Sequence, residues 1–484
     1  MKIFEFDNIP VAFEFDFSGE NVSLGITVII LSFLVFVFSL GYIKQQKAYY
    51  FLWLSVFILS MLGFVFSENL VLTFAFWEGL GFASYFLVRF YRSHEAEDEA
   101  QKVFIFNRLA DLAFFLLLAI AFYSAQTFNI RELTRVLQND ENLSLFLLSL
   151  AVCCFGKSAQ ALFFPWLKAA MAGPTTVSSL LHSATMVGAG AILFYKFREL
   201  VTAEFATAIY YIAVGTSLLC SLSAITSKEA KQLLAYSTIS NLSLLFAVAL
   251  YQPGVFLKMF ISHAFYKCGA FLYVALKSLK SKSTYFSELK KSNFNIVDLF
   301  LLVTFSLGLM SFPPFGVGLF KPDYYLTLIG SFFTVLYGYG FFRKLVQRIN
   351  DSFIPNLFYL VVLILSVLSL FYPLIYVTSV SWLGKSLALF VFGVVVYEVI
   401  LVRFSSLDIA SSIEQALYFL GQKIIFFVSN TARGLRSALE IVIGSFQDTL
   451  KILGGSYQIL SMQTYRVLFG VFLFVWLMLL YLGS

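Results

Sequence analysis

Charged residues are scarce in this chain: aspartate, glutamate, lysine and arginine together make up 12% of its 484 residues. A soluble domain usually carries roughly a quarter, and 60% of this chain is hydrophobic. The composition therefore excludes an ordinary soluble domain and predicts an all-α protein that crosses a membrane many times. The net charge of +6 is modest. Because the basic residues lie mostly in loops, this charge bears on topology rather than on nucleic-acid binding.

Cysteine is also rare, and all four cysteines lie in apolar runs: Cys153, Cys154, Cys220 and Cys268. No metal-ligand spacing occurs among them, so we expect small core residues rather than a metal site. The sequence contains no nucleotide-binding loop, flavin site or iron–sulfur cysteine set, and no cofactor or redox centre is expected in this chain. A cleavable signal peptide is not expected either, because residues 1–20 are acidic and lack a continuous apolar core.

Apolar windows long enough to cross a bilayer predict about fourteen transmembrane helices. They are residues 22–42, 48–66, 69–91, 102–124, 143–172, 175–196, 204–224, 231–250, 254–277, 296–322, 324–345, 354–377, 380–403 and 463–483. Basic residues concentrate in alternate loops, so the positive-inside rule places those loops in the cytoplasm or matrix. Both termini then lie on the opposite, intermembrane or periplasmic side. The alternating apolar residues within 1–21 predict a short hairpin before the bundle.

Proline and glycine interrupt two of the predicted spans, 143–172 and 296–322. The interruptions lie at Pro165, Gly173, Pro174, Pro313, Pro314 and Pro322. Proline removes a backbone donor, and free carbonyls at membrane depth are tolerated only against protein or water. One broken helix in each half of the chain indicates inverted repeats around a polar path. An ordinary proline kink is the structural alternative.

Residues 404–455 are too polar to cross a membrane, although their apolar residues recur at helical spacing. This pattern predicts a long amphipathic helix that lies laterally on the membrane surface. At 1.5 Å per residue, a continuous helix over about 46 of these residues would extend roughly 70 Å, beyond the width of one bundle. The predicted organisation is thus a hairpin (1–21), a transmembrane bundle (22–403), the lateral helix (404–455) and a C-terminal transmembrane anchor (456–484).

Ionisable residues inside the predicted spans are few, and each costs roughly 2.5–3.5 kcal/mol at the centre of a membrane helix. The candidates are Glu78, Arg108, Asp111, Lys157, His182, His263, Lys267, Lys321 and Asp323. We expect Glu78 and Lys157 to form a pair that switches between an ion-paired and a proton-loaded state. Because buried lysine and histidine titrate near neutrality, the row predicts a proton relay. Structural histidines, a structural Arg108–Asp111 pair and a snorkelling Lys321 remain the alternatives.

Several motifs, taken in order, resemble the antiporter-like proton-pumping subunits of respiratory complex I, and among them the chain 5 (bacterial L subunit) family. The motifs are FWEGLGFASYFL at Glu78, NRLAD at Arg108 and Asp111, GKSAQ at Lys157, GPTTVSSLLHSATMV at His182, EAKQLLAYSTIS, and HAFYK at His263 and Lys267. The resemblance implies that Glu78 is the pumping carboxylate, Lys157 the channel lysine and Lys267 the central lysine. It also implies proton translocation coupled to ubiquinone reduction elsewhere in the assembly.

The resemblance further implies partners and a location. The partners would be other membrane-arm subunits, with chain 4-like and chain 2-like subunits under the lateral helix, and lipids. The membrane would be the mitochondrial inner membrane or, alternatively, a bacterial plasma membrane. The family usually has two further helices before the acidic hairpin with which this chain starts.

The sequence also departs from the family pattern. Ala169 and Ala172 stand where acids are common, and Met259 replaces a histidine. Near the second break, Lys321 is displaced by one residue from the S-K-D pattern. Two alternatives stay open: a subunit of a multisubunit cation/proton antiporter, which shares the Glu/Lys motifs, and a scaffold subunit that does not pump, which these departures favour.

Overall fold

The computed structural model describes residues 2–6, 9–312, 325–374 and 383–398. They belong to one compact unit, Met1–Glu414. The predicted lateral helix (404–455) and C-terminal anchor (456–484) lie outside the described residues. Lys321 and Asp323, at the second predicted break, also lie outside them.

The described residues form one hairpin and a bundle of helices. Strands β1 (Lys2–Phe6) and β2 (Ile9–Ala12) pair antiparallel, which confirms the predicted hairpin. The helices are α1 (Gly19–Tyr42), α2 (Lys47–Phe66), α3 (Leu70–Val88), α4 (His94–Ile120), α5 (Ile130–Leu137), α6 (Leu143–Lys157), α7 (Pro165–Ala169), α8 (Thr175–Leu181), α9 (Met186–Lys196), α10 (Ala203–Thr226), α11 (Ala230–Tyr251), α12 (Pro253–Ser281), α13 (Phe286–Leu289), α14 (Ile296–Leu309), α15 (Tyr325–Leu345), α16 (Leu357–Leu374) and α17 (Leu383–Val396). Within this part of the chain, nine helical segments are long and apolar enough to cross a membrane. The protein is therefore a multi-pass helical membrane protein.

The predicted interruption of the span 143–172 is confirmed. Helix α6 ends at Lys157, and the chain continues through a 3-10 turn, the short helix α7 and a second 3-10 turn. Pro165 is the first residue of α7. A backbone N–H at this position would have no hydrogen-bond acceptor within the helix, so proline is tolerated there. Pro174 precedes the first residue of α8.

A further interruption was not predicted: the span expected at 175–196 is divided into α8 and α9. The Thr185 hydroxyl donates to the Leu180 carbonyl (2.6 Å), and the Ser183 hydroxyl donates to the same carbonyl (3.1 Å). Serine and threonine side chains compete in this way with backbone amides for helix carbonyls. The helix therefore stops at His182, which lies at the break instead of within a regular helix.

One arrangement of backbone contacts occurs twice in the bundle. The loop before α3 pairs with the loop before α5, through Leu70 N–H to Phe128 O and Ile130 N–H to Glu68 O. The loop before α11 pairs in the same way with the loop before α13: Ala230 N–H donates to Thr284 O and Phe286 N–H to Lys228 O. Helices α2, α3 and α5 therefore correspond to α10, α11 and α13.

Two buried lysines extend the correspondence. Lys196, the last residue of α9, donates to the carbonyls of Val65 and Ser67 at the end of α2 (3.1 and 2.6 Å). Near the end of α15, Lys344 donates to the carbonyls of Ile225 and Ser227 at the end of α10 (2.8 and 2.7 Å). Helix α10 begins on the side where α9 ends, so the two sets of contacts lie on opposite faces of the membrane.

Arg131 attaches the segment before α1 to the loop between α2 and α3. Its guanidinium group pairs with Asp16 (2.9 Å) and with Glu68 (3.2 Å). Burial alone would raise the pKa of Asp16, but hydrogen bonds from Ser18 and Arg131 outweigh burial and lower this pKa. Burial dominates at Glu68 and raises the pKa of that carboxyl despite Arg131 and Lys196. The N-terminal segment is therefore fixed to the loop by charge as well as by backbone hydrogen bonds.

Gly190 is expected to be intolerant of substitution because α9 crosses α6 closely there. An added Cβ would collide with the Cys154 carbonyl and the Ser158 hydroxyl. Gly190→Ala is expected to destabilise the chain by about 1–3 kcal/mol, the usual effect of overpacking. A Cβ at Gly215 meets nothing within 4 Å, so Gly215→Ala is the control and should be neutral or slightly stabilising. Detergent-denaturation midpoints measure both variants, and equal midpoints would contradict this account of the α6–α9 contact.

Candidate functional site

A cluster of four charged side chains lies where α3, α4 and the end of α6 meet. Arg108 Nη1 is 2.5 Å from Glu78 Oε2, and Arg108 Nη2 is 2.9 Å from Asp111 Oδ2. Lys157 Nζ lies 3.6 Å from Asp111 Oδ1. The side chains of Asp111 and Lys157 are 3% and 0% exposed. Such charges are stable away from water only as a mutually compensated set.

The direct Glu78–Lys157 ion pair expected from the sequence is not formed. Arg108 binds Glu78 instead, and Asp111 is the ion-pair partner of Lys157. A guanidinium group presents several donors in a fixed fork, so it can bind one carboxylate with each terminal nitrogen. Gly81 provides the space, because an added Cβ would lie 3.2 Å from Arg108 Nη2 and 3.4 Å from Lys157 Nζ. Glu78 therefore reaches Lys157 through Arg108 and Asp111.

The Lys157 ammonium group is weakly held. It has no hydrogen-bond partner among the described residues, and its ion pair is longer than the others in the cluster. Its second contact is the Trp77 ring, whose centroid is 4.6 Å away. Trp77 also donates its indole N–H to Asp111 (2.6 Å) and so competes for the same carboxylate. Little holds the lysine in place on this side, so it is free to exchange partners.

Two buried histidines continue the row of ionisable groups. His182, at the α8–α9 break, has no hydrogen-bond partner for either ring nitrogen among the described residues. His263 on α12 shares a hydrogen bond between Nδ1 and the Tyr266 hydroxyl (3.1 Å), and its ring also interacts with the backbone of His182. Buried polar atoms usually have partners. These ring nitrogens are therefore suited to accepting or donating a proton during transfer.

Lys267 is fully buried on α12 and is bound by neutral oxygens. Its ammonium group donates to the Ser237 hydroxyl and to the Leu234 carbonyl (3.3 Å for the carbonyl), both on α11. Asn241, one turn beyond Ser237, donates to the Ser237 carbonyl (2.9 Å) and to the Tyr337 hydroxyl (2.8 Å). Polar groups of α11 therefore bind Lys267, and no carboxylate among the described residues pairs with it.

Two lysines expected in loops are buried in the structure, and one buried glutamine was not among the predicted site residues. Lys231 and Lys277 lie next to basic loops in the sequence, where the positive-inside rule predicts loop charges, but both are buried: Lys231 donates to the Met171 and Gly173 carbonyls, and Lys277 pairs with Asp298 (3.2 Å). Each lies in the first or last turns of a long helix, where sequence alone does not separate a surface lysine from a buried one. Gln160 contacts α11 in the structure. It is the last residue of the GKSAQ motif, so the motif could have indicated it as a site residue.

Residues 67–341 match the family described as NADH:quinone oxidoreductase/Mrp antiporter, transmembrane. The chain belongs to this family. The family resemblance inferred from the motifs is thus confirmed, and the matched region contains Glu78, Arg108, Asp111, Lys157, His182, His263 and Lys267.

Relatives of this family match about half of the chain or more. The chain is 35% identical over 282 residues to NADH-quinone oxidoreductase subunit L of Buchnera aphidicola subsp. Baizongia pistaciae, covering 55% of this chain and 45% of the relative. It is 31% identical over 344 residues to NADH-ubiquinone oxidoreductase chain 5 of Paracentrotus lividus, covering 68% and 53%. The chain spans about half the length of these curated relatives.

A solved structure supports the fold. The Mrp complex from Dietzia sp. DQ12-45-1b has a chain that superposes with a TM-score of 0.70 at 19% identity. The superposition covers 92% of this chain and 56% of the other. At this level of identity the likeness establishes the arrangement of helices alone.

Proposed function

We propose that this chain is a proton-translocating subunit in the membrane arm of a respiratory NADH:quinone oxidoreductase. The observation that carries the proposal is the charged cluster of Glu78, Arg108, Asp111 and Lys157 inside the helix bundle, together with the fully buried side chains of His182, His263 and Lys267. Ionisable residues inside membrane helices are expensive and mark ion or proton pathways. The relatives' names and the family match support the same assignment.

The ion-pair geometry suggests how a proton would pass along the row. When Glu78 takes up a proton, it loses its attraction for Arg108, and Arg108 can bind Asp111 more fully. Asp111 then holds Lys157 less strongly, because a carboxylate shared with a second cation stabilises each cation less. The freed Lys157 ammonium group transfers its proton to a neutral His182 ring, leaving a neutral amine and an imidazolium. His263 and Lys267 continue the relay, and Lys321 with Asp323 is proposed as its outer end.

We also infer that the bundle consists of inverted repeats. The twofold occurrence of the loop pairing and of the Lys196 and Lys344 contacts, on opposite faces, supports this inference. Inverted repeats place a transport site at their interface near the middle of the membrane. The ionisable row occurs in both halves, with Lys157 in the first and Lys267 in the second.

The proposed setting follows from the relatives. The partners are other membrane-arm subunits, including chain 4-like and chain 2-like subunits beneath the predicted lateral helix (404–455). The electron-transfer reaction takes place in other chains of the assembly, and this chain is proposed to need no cofactor of its own. The membrane is the mitochondrial inner membrane or a bacterial plasma membrane.

A subunit of a multisubunit cation/proton antiporter is the second candidate, and the fold similarity to a chain of an Mrp complex favours it. The two candidates predict different partner subunits and different driving reactions. Co-purification with quinone-reducing subunits and NADH-driven proton release support the first candidate. Sodium-dependent proton exchange without NADH oxidation supports the second.

Glu78→Gln tests the proposed function directly, because glutamine preserves the size of the side chain but cannot take up a proton. We expect the assembled complex carrying this variant to release fewer protons per NADH oxidised, because losing an acid–base group slows proton transfer through this chain by roughly 100-fold or more. Glu95, an exposed residue in the first turn of α4, provides the control Glu95→Gln. Equal proton release from both variants in reconstituted vesicles would refute the role of Glu78.

A further inference from the structure

The segment 158–161, immediately after Lys157, has an unusual backbone. Ala159 and Ala161 have φ values of 55° and 50°, in the left-handed region. Residues with a Cβ avoid this region, and alanine has no side-chain polar group to compensate. Strained conformations of this kind persist only where the surroundings enforce them, and they concentrate at functional sites.

Gln160, between the two alanines, connects this segment to α11. Its side chain is 1% exposed, and its amide nitrogen donates to the Ser158 carbonyl (2.8 Å) and to the Ile239 carbonyl on α11 (3.4 Å). Its amide oxygen accepts from the Ser243 hydroxyl, also on α11 (2.5 Å). The glutamine thus connects the end of α6 to α11 with all its contacts buried.

Neighbouring residues hold the same segment against two other helices. The Ser158 hydroxyl donates to the Val187 carbonyl on α9 (2.7 Å), and the Ala161 N–H donates to the Thr216 hydroxyl on α10 (3.2 Å). The side-chain oxygen and nitrogen of Gln160, however, provide the contacts with α11, the helix that binds Lys267 through Ser237. Helix α11 therefore contacts both Lys267 and the segment that ends the helix of Lys157.

We propose that Gln160 is a positioning residue for proton transfer by Lys157, acting through its hydrogen bond with Ser243. Lys157 is the last residue of α6, so the conformation of 158–161 decides where its ammonium group lies. Among the described residues that group has one long ion pair, with Asp111, one contact with the Trp77 ring, and no hydrogen bond, so its distance from Asp111 depends on where the end of α6 is held. This inference rests on the proposed function of Lys157.

The test measures protons released per NADH by the assembled complex carrying Gln160→Met, which preserves side-chain length but removes the hydrogen bonds. Losing these bonds is expected to lower the population of the correctly held helix end by about tenfold and thereby to lower the proton ratio. Ser243→Ala should have the same effect, and Ser243→Thr, which keeps a hydroxyl, should restore the ratio. The double variant should be no worse than Gln160→Met alone, because Gln160→Met already removes the contact with Ser243.

Ser149→Ala is the matched control, since Ser149 is a buried serine of α6 whose hydroxyl donates to the Leu145 carbonyl of its own helix and to no other described residue. It should leave the ratio unchanged. A parental ratio in assembled Gln160→Met complex overturns the positioning role while the function stands, provided that Lys157→Met lowers the ratio. If both variants pump normally, the proposed function itself fails. If Gln160→Met does not assemble, Ser243→Ala decides, because it breaks the same contact from α11.

Discussion

Replacing Asp111 by alanine is expected to destabilise the chain by about 3–5 kcal/mol, the usual effect of removing one partner from a buried ion pair. Asp111 contacts Arg108, Lys157 and the Trp77 indole N–H. Without it, Lys157 has neither an ion pair nor a hydrogen bond among the described residues, and Arg108 retains only Glu78. The charged cluster then holds two cations against one carboxylate inside the membrane.

Asp98 on the same helix provides the control. Its side chain is 53% exposed and pairs with His94 at the surface, so Asp98→Ala should change stability by about 0.5 kcal/mol or less. Detergent-denaturation midpoints of the purified complexes compare the two variants. Similar midpoints would show that Asp111 does not hold the cluster together.

The transmembrane organisation of the described region could be predicted from sequence, because membrane helices must satisfy their own backbone groups and so appear as long apolar runs. The break after Lys157 could also be predicted, since Pro165 and Pro174 mark it. The break at His182 could not. It depends on the hydroxyls of Ser183 and Thr185 reaching the Leu180 carbonyl, and serine and threonine also occur in unbroken membrane helices.

The members of the charged cluster could be predicted, but their pairing could not. Glu78, Arg108, Asp111 and Lys157 were identified as ionisable residues within spans, and the Arg108–Asp111 contact followed from their spacing on one helix. Which carboxylate binds Lys157 depends on how α3, α4 and α6 pack, and on the space left by Gly81. Neither feature is local in sequence.

Buried lysines near helix ends were the least predictable feature. Lys231 and Lys277 lie close to loops in the sequence, so both appeared to mark the cytoplasmic or matrix side. The structure shows that they bind carbonyls or a carboxylate within the bundle. A lysine at such a position can extend either to the surface or inward, and only the packing of the neighbouring helices decides between them.

Lys157→Met is expected to have the largest effect on proton translocation. Methionine matches the length of the lysine side chain and removes both the charge and the transferable proton. The variant removes the lysine step of the proposed relay, so the share of protons that passes through this chain should be lost, because removing an acid–base group slows transfer by roughly 100-fold or more. Assembly should survive, because methionine is readily buried and Asp111 retains Arg108 and Trp77 as partners.

The number of protons released per NADH oxidised, in vesicles containing the assembled complex, tests this account most directly. Lys44→Met serves as the control, because Lys44 is exposed in the loop between α1 and α2. The account predicts a parental ratio for Lys44→Met and a severely reduced ratio for Lys157→Met at equal assembly. A parental ratio for Lys157→Met would contradict the claim that protons pass through the buried row of this chain.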